Sequence, residues 1–292
     1  MLKAKEYIIE SGLLLCALVT VLTTGGIILV LTIEAISFFK KISLVDFLTD
    51  TQWTPLYSEK HFGILPLLAG TLLTTVIAIS VALPIGMGIA IYLSEYAPKS
   101  FRKMIKPLLE LLAAVPTVVY GFFALMVVTP FLQKIIPGVS GFNALSAGIV
   151  MGIMIIPFIS SMSEDALHAV PKSLREAAYG MGSTRLQTVF KVTIPSASSG
   201  ISASIILAIS RAIGETMIVA IAAGQMPSLT FNPLDSVQTI TAYIVQVSSG
   251  DVPFGSLEHS TIFAAGIALF VLTFILNSIS FWINKKFKLQ YE

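Results

Sequence analysis

Apolar and polar residues fall along this chain in long blocks rather than short periods. Apolar runs lie at about 12–37, 64–93, 108–133, 142–164, 197–224 and 260–283. Roughly 20 such residues are needed to carry a helix across the hydrocarbon core of a bilayer. The pattern therefore predicts an all-α integral membrane protein with six transmembrane helices, and the even number puts both termini on one side. Pro116, Pro130, Pro157 and Arg211 interrupt the third to fifth runs. Prolines are tolerated there because neighbouring helices and hydroxyls satisfy the freed carbonyls.

Between the fourth and fifth runs lies a charged island, Pro171 to Pro195. Ser173 with Glu176, and Thr184 with Gln187, are spaced as capping boxes that start two short helices. Gly180 and Gly182 suit a turn at positive φ between them. Leu186, Val189 and Phe190 share one face of the second arm, leaving Arg185 and Lys191 to water or an acidic partner. The island reads as a helical elbow.

Composition narrows the class. With 55% hydrophobic and 12% charged residues and a mean hydropathy of +0.88, ordinary soluble folds are excluded. The net charge of +2 says less than its distribution. With the N-terminus inside, segments 1–11, 94–107, 165–196 and 284–292 hold thirteen of the eighteen Lys and Arg, the outer segments four, and Arg211 lies within a span. This bias makes both termini and the elbow cytoplasmic. The first run is too long for a signal peptide and lacks a small-x-small site, so it reads as an uncleaved span. Cys16, the single cysteine, reads as a small hydrophobe.

Two outer segments are long. In 39–63, Trp53, Tyr57 and Phe62 suit an interfacial anchor. In 225–259, Leu234, Val237, Ile240, Thr241 and Ile244 recur at helical spacing, predicting an amphipathic segment on the outer rim, either a packing gasket or a docking surface.

Chemistry is sparse. No GxxxxGK[ST] occurs, so the chain carries no Walker-type ATPase of its own. His61, His168 and His259 stand apart in predicted loops and read as solvated. The expectation is a chain that is no enzyme and holds no cofactor or metal. Transport is signalled instead by polar groups within a span, here Arg211 to Thr216. A charge at that depth costs about 2.5–3.5 kcal/mol on insertion scales. Arg211 and Glu215 are i, i+4 neighbours on one helix face, and Gly200, Ser204 and Ala208 extend that face toward the cytoplasm. The plainer alternative is an ion pair that satisfies itself and fixes helix packing.

Glu176-Ala177-Ala178, three residues, Gly182, nine residues and Val192-Thr193-Ile194-Pro195 resemble the EAA motif of ABC-importer permeases, with Val and Ile at two aliphatic positions. The resemblance implies the type I ABC importer permease architecture. It makes the elbow a coupling helix seated in a separate ATPase, with Glu176, Ala177, Ala178, Gly182, Arg185 and Pro195 as coupling residues. A helix-turn-helix DNA reader has a similar shape, but an elbow pinned between spans cannot lie along a duplex, so no nucleic acid is expected.

Gly70 to Thr75, Ala90 to Pro98, Val115 to Gly121 and Ser210 to Met217 are similar to the phosphate ABC importer permeases. Asn143 to Ile149 and Gly214-Glu215-Thr216-Met217 are closer to the PstC than the PstA type. That resemblance implies a bacterial or archaeal cytoplasmic membrane and a heterodimer with a PstA-type permease. It also implies a PstB-type ATPase dimer, an extracytoplasmic phosphate-binding protein, and a phosphate path through Arg211 and Glu215, to which we add Thr216 and Ser204. The chain divides into 1–59, a first span with its outer segment; 60–284, the permease core; and 285–292, a cytoplasmic tail. An arginine fork suits an oxyanion, and a carboxylate able to take the proton of phosphate would separate it from sulfate. A permease for sulfate, molybdate or another solute, and more distantly a non-transporting membrane scaffold, are the alternatives.

Overall fold

The computed structural model describes residues 2–288, with side chains omitted for 2–8, 280 and 283–288; residues 1 and 289–292 lie outside the described residues. The expected tail 285–292 thus falls partly outside, while 285–288 continue the last helix. Among the described residues the helices are α1 (Leu2–Phe39), α2 (Leu44–Thr49), α3 (Leu65–Ile91), α4 (Lys99–Ala113), α5 (Thr117–Phe123), α6 (Thr129–Ile135) and α7 (Ala144–His168). They continue with α8 (Lys172–Gly180), α9 (Arg185–Thr188), α10 (Ile194–Ser196), α11 (Ser198–Ile213), α12 (Met217–Ala222), α13 (Ile240–Ser248) and α14 (Leu257–Lys288). Single π turns at Tyr92–Tyr96, Ala124–Val128 and Val189–Thr193 extend or join them.

Among the described residues five helices are long and apolar enough to cross a membrane. The number is six when the elbow's second arm, Arg185–Ser196, and Ser198–Ile213, bent by 72°, are counted as one span. The core is the seam of α3 against α7, with α11 alongside. Lipid supplies little hydrophobic drive between helices, so close approach depends on small residues. A Cβ on Gly152 would stand 2.8 Å from the Ala78 carbonyl oxygen, and one on Gly148 would stand 2.7 Å from Ile77. Buried Ser163 of α7 and Ser204 of α11 share a hydrogen bond of 2.7 Å across the second contact.

Two spans depart from the sequence reading. The third, expected at 108–133, runs Thr117–Ile135. Residues 99–113 form the separate helix α4, whose apolar side (Met104, Leu108, Leu111) is exposed. Pro116 separates them, since the residue before a proline leaves the helical region and proline offers no N–H. The fifth is broken after Ile213 and resumes as α12.

The outer segments also pack more deeply than expected. Trp53 is no interfacial anchor: it is 1% exposed, paired with Phe62 through an isolated bridge, and held edge-on between Phe47 and Tyr243. Phe62 packs on Phe38, and only Tyr57 stays exposed. Residues 225–239 form no helix, and Val237 to Tyr243 are buried rather than lying on a rim. Polar partners draw them in. The Thr71 hydroxyl accepts the Ile240 amide at 3.1 Å, and Thr241 donates to the Glu215 carbonyl at 2.7 Å.

Candidate functional site

At the cytoplasmic end the elbow is built as α8, a turn, and α9. Ala177, Ala178 and Tyr179 give up their carbonyls to Met181, Gly182 and Ser183 in a double-bonded helix stop. The Ser183 amide reaches the Ala178 oxygen at 3.0 Å and the Gly182 amide the Tyr179 oxygen at 2.9 Å. This closure needs a left-handed residue one place past the cap. Gly182 occupies that place at φ 84°, which accounts for the spacing of Ala178 and glycine in the motif. Gly180 ends α8 without positive φ. The Thr184–Gln187 capping box forms in both directions, at 3.3 and 2.9 Å. The Ser173–Glu176 box does not form, because Pro171 is the N-cap and makes no side-chain cap bond.

The expected apolar face of the second arm is split. Thr188 and Val189 turn inward, whereas Leu186 (60% exposed), Phe190 (58%) and Met181 (88%) stand in the open. Three large apolar side chains are thus exposed together on one short elbow. Glu176, Ala177 and Arg185 are exposed on the same elbow, while Ala178 and Pro195 are half-buried. Pro195 lies in the first turn of α10, and the chain turns into α11 at Ala197.

Sequence reasoning missed the groups that fix this elbow to the spans. Arg175 donates through Nε (3.2 Å) and Nη2 (2.9 Å) to Glu95 Oε1. It also donates to the carbonyls of Leu167 and Val170, both at 2.7 Å. Glu164 of α7, 1% exposed, pairs with Arg102 and with Lys106 of α4, the latter at 3.1 Å; Lys106 also reaches Asp165 at 2.6 Å. Burial works against the Lys106 charge, but the hydrogen bonds to Asp165 and Glu164 outweigh it and raise the amine above its ordinary range. The signal was present in the acidic Glu164-Asp165 step facing a basic 99–106 segment. The three histidines are not free either. His168 ends α7 and meets Arg102 at 3.2 Å, His61 meets Asp50 at 2.9 Å, and His259 stacks on Phe254.

Deeper in the bundle, the expected Arg211–Glu215 pair does not form. An i, i+4 pair needs an unbroken helix, and α11 stops at Ile213. Glu215 folds under the start of α12, where its Oε1 accepts the amides of Met217 (3.1 Å) and Ile218 (3.4 Å). Thr216 spends its hydroxyl on the Gly214 carbonyl at 3.2 Å. Arg211 is exposed, with no hydrogen-bond or ion-pair partner among the described residues. The cue was Gly-Glu-Thr, which reads as a helix stop followed by a cap as readily as a continuation. Ser204 lies elsewhere, buried in the seam with Ser163, its hydroxyl also on the Ile201 carbonyl.

A family model described as binding-protein-dependent transport system inner membrane component matches residues 82–289. The phosphate transport system permease protein PstC of Mesorhizobium japonicum is 38% identical over 80% of this chain and 76% of its own. PstC of Haemophilus influenzae is 34% identical over 92% and 89%. A probable ABC transporter permease protein, YqgH of Bacillus subtilis, is 35% identical over 89% and 84%. Among solved structures, a bacterial ABC transporter involved in alginate import superposes with a TM-score of 0.60 at 17% identity, covering 87% of this chain and 88% of that one. The MetNI methionine ABC transporter, in an inward-facing form, gives 0.56 at 18% identity, over 77% and 94%.

Proposed function

Because the chain belongs to the binding-protein-dependent transport system inner membrane component family, we propose that it is the PstC-type permease of an ATP-driven inorganic phosphate importer. In this reading it forms half of the translocation pathway beside a PstA-type permease. The elbow docks in a PstB-type ATPase through Met181, Leu186 and Phe190, and an extracytoplasmic binding protein delivers phosphate to the outer face. The phosphate relatives support the choice of cargo.

The observation that carries the reading is Arg211. An intramembrane arginine is costly unless something compensates its charge. Here the nearest carboxylate in sequence is occupied at the start of α12, and the guanidinium remains open. A fork of that kind holds a tetrahedral oxyanion by paired N–H···O bonds. Glu215, held in the break rather than on the arginine, is placed in this reading to orient Thr216 and the end of α11 around the passing anion. Ser204 serves helix packing.

The test is uptake into proteoliposomes holding the four-component transporter, with phosphate and sulfate in competition. ATP-dependent phosphate accumulation that a tenfold excess of sulfate leaves intact supports the reading; preferential sulfate uptake would reassign the cargo.

A further inference from the structure

The chain enters α8 through Val170 and Pro171, a junction with no N–H at the proline and no side-chain cap. Left to the backbone, this junction is a hinge. One side chain closes it. Arg175 takes the carbonyls of Leu167 and Val170 at the end of α7; the first also receives the closing-turn amide of Val170, at 3.3 Å. With the rest of its fork it grips Glu95, eighty residues earlier in the chain. Glu95 sits on the π turn Tyr92–Tyr96 at the inner end of the second span. Such turns displace a side chain from the regular helical register. Both partners are largely buried, with side chains 15% and 8% exposed, so the pair is screened little by salt.

We propose that Glu95 and Arg175 form the strut through which displacement of the elbow reaches the second span; the inference rests on the permease reading. Pushing α8 then moves α7 and α3 together, rather than flexing the Val170–Pro171 junction. Neither residue touches substrate, so both are positioning residues.

The test uses the complete transporter. Glu95→Gln keeps the shape and loses the charge. Phosphate moved per ATP hydrolysed is expected to fall about 5-fold or more, with hydrolysis itself within about twofold of the parent; Arg175→Lys, which keeps charge but not the fork, is expected to lie between. Equal loss of uptake and hydrolysis, or an unchanged ratio, overturns the strut. A second measurement needs no cargo. Spin labels are placed at Ser173→Cys and Gly88→Cys in a Cys16→Ser background, Gly88 facing open space. They should report one distance whether or not the ATPase holds nucleotide, and a nucleotide-dependent shift once Glu95→Gln is introduced. A shift already present in the parent overturns the strut. A parent complex that hydrolyses ATP without moving phosphate overturns the cargo instead, and leaves the distance measurement to decide the strut.

Discussion

At the cytoplasmic end, Arg175 with Glu95 joins the elbow to the second span, and Arg102 and Lys106 join α4 to Glu164. The outer end is closed by edge-on aromatic contacts running from Phe38 through Phe47 and Trp53 to Tyr243, with centroids 5.9, 6.2 and 5.0 Å apart. The two devices respond differently to displacement. An ion pair near water can break and be re-solvated or find another partner at modest net cost, because its Coulomb gain and its desolvation nearly cancel. A buried aromatic cluster forfeits contact area with any shift and regains it only in the same arrangement. The Arg102 and Lys106 contacts to Glu164, 24% and 30% exposed on the basic side, can thus exchange partners during a cycle, whereas the Glu95–Arg175 pair, buried on both sides, holds, and the outer end moves as a block.

The outer end should give the largest stability loss. Trp53→Ala is expected to cost about 3–5 kcal/mol, read as a fall in the unfolding temperature of the purified protein, and to be insensitive to salt. Glu164→Ala should cost less, about 3 kcal/mol at the low end for a broken buried pair, because Arg102 and Lys106 are still 24% and 30% exposed and can recover water. Its deficit should shrink in about 1 M salt, where screening reaches 3 Å. A salt response at Trp53 and none at Glu164 would erase the contrast.

Gly182→Val forces a β-branched residue to φ 84°, a strain of about 1–3 kcal/mol confined to the elbow. Space is not the obstacle, since a Cβ there meets nothing within 4 Å. Affinity for the ATPase should fall with the spans intact, and Gly182→Asn should restore most of it. The smallest effect is expected at the outer surface, where Lys60 hydrogen-bonds Glu258. Lys60→Met should lower stability by only ~1 kcal/mol or less, because a partly exposed ion pair gains little over its solvated partners, read as a small fall in the unfolding temperature.

Four of the six spans, Gly182 and the Thr184–Gln187 box were legible because each depends on residues close in sequence. Four features were not. Glu215 had two chemically sound uses, pairing with Arg211 or capping α12, and only the end of α11 at Ile213 decides between them. Trp53 has the side chain of an interfacial anchor, and its burial is fixed by Tyr243, nearly two hundred residues away in sequence. Ser173 and Glu176 matched a helix start, but Pro171 begins the helix earlier and makes the cap redundant. Glu95 lay inside a recognised motif without a role, because its partner Arg175 belongs to a different segment.

The most direct test of the account is ATP-driven phosphate uptake by the complete transporter carrying Arg211→Met, alone and with Glu215→Gln, at matched membrane abundance, with Arg211→Lys beside them. Loss of a charge-assisted contact to the anion should lower uptake on the order of 100-fold in both Met variants, with Lys retaining more than Met because it keeps the charge. Near-normal uptake in the double variant would contradict the account, returning Arg211 to a packing role and leaving the pathway without a charged residue from this chain.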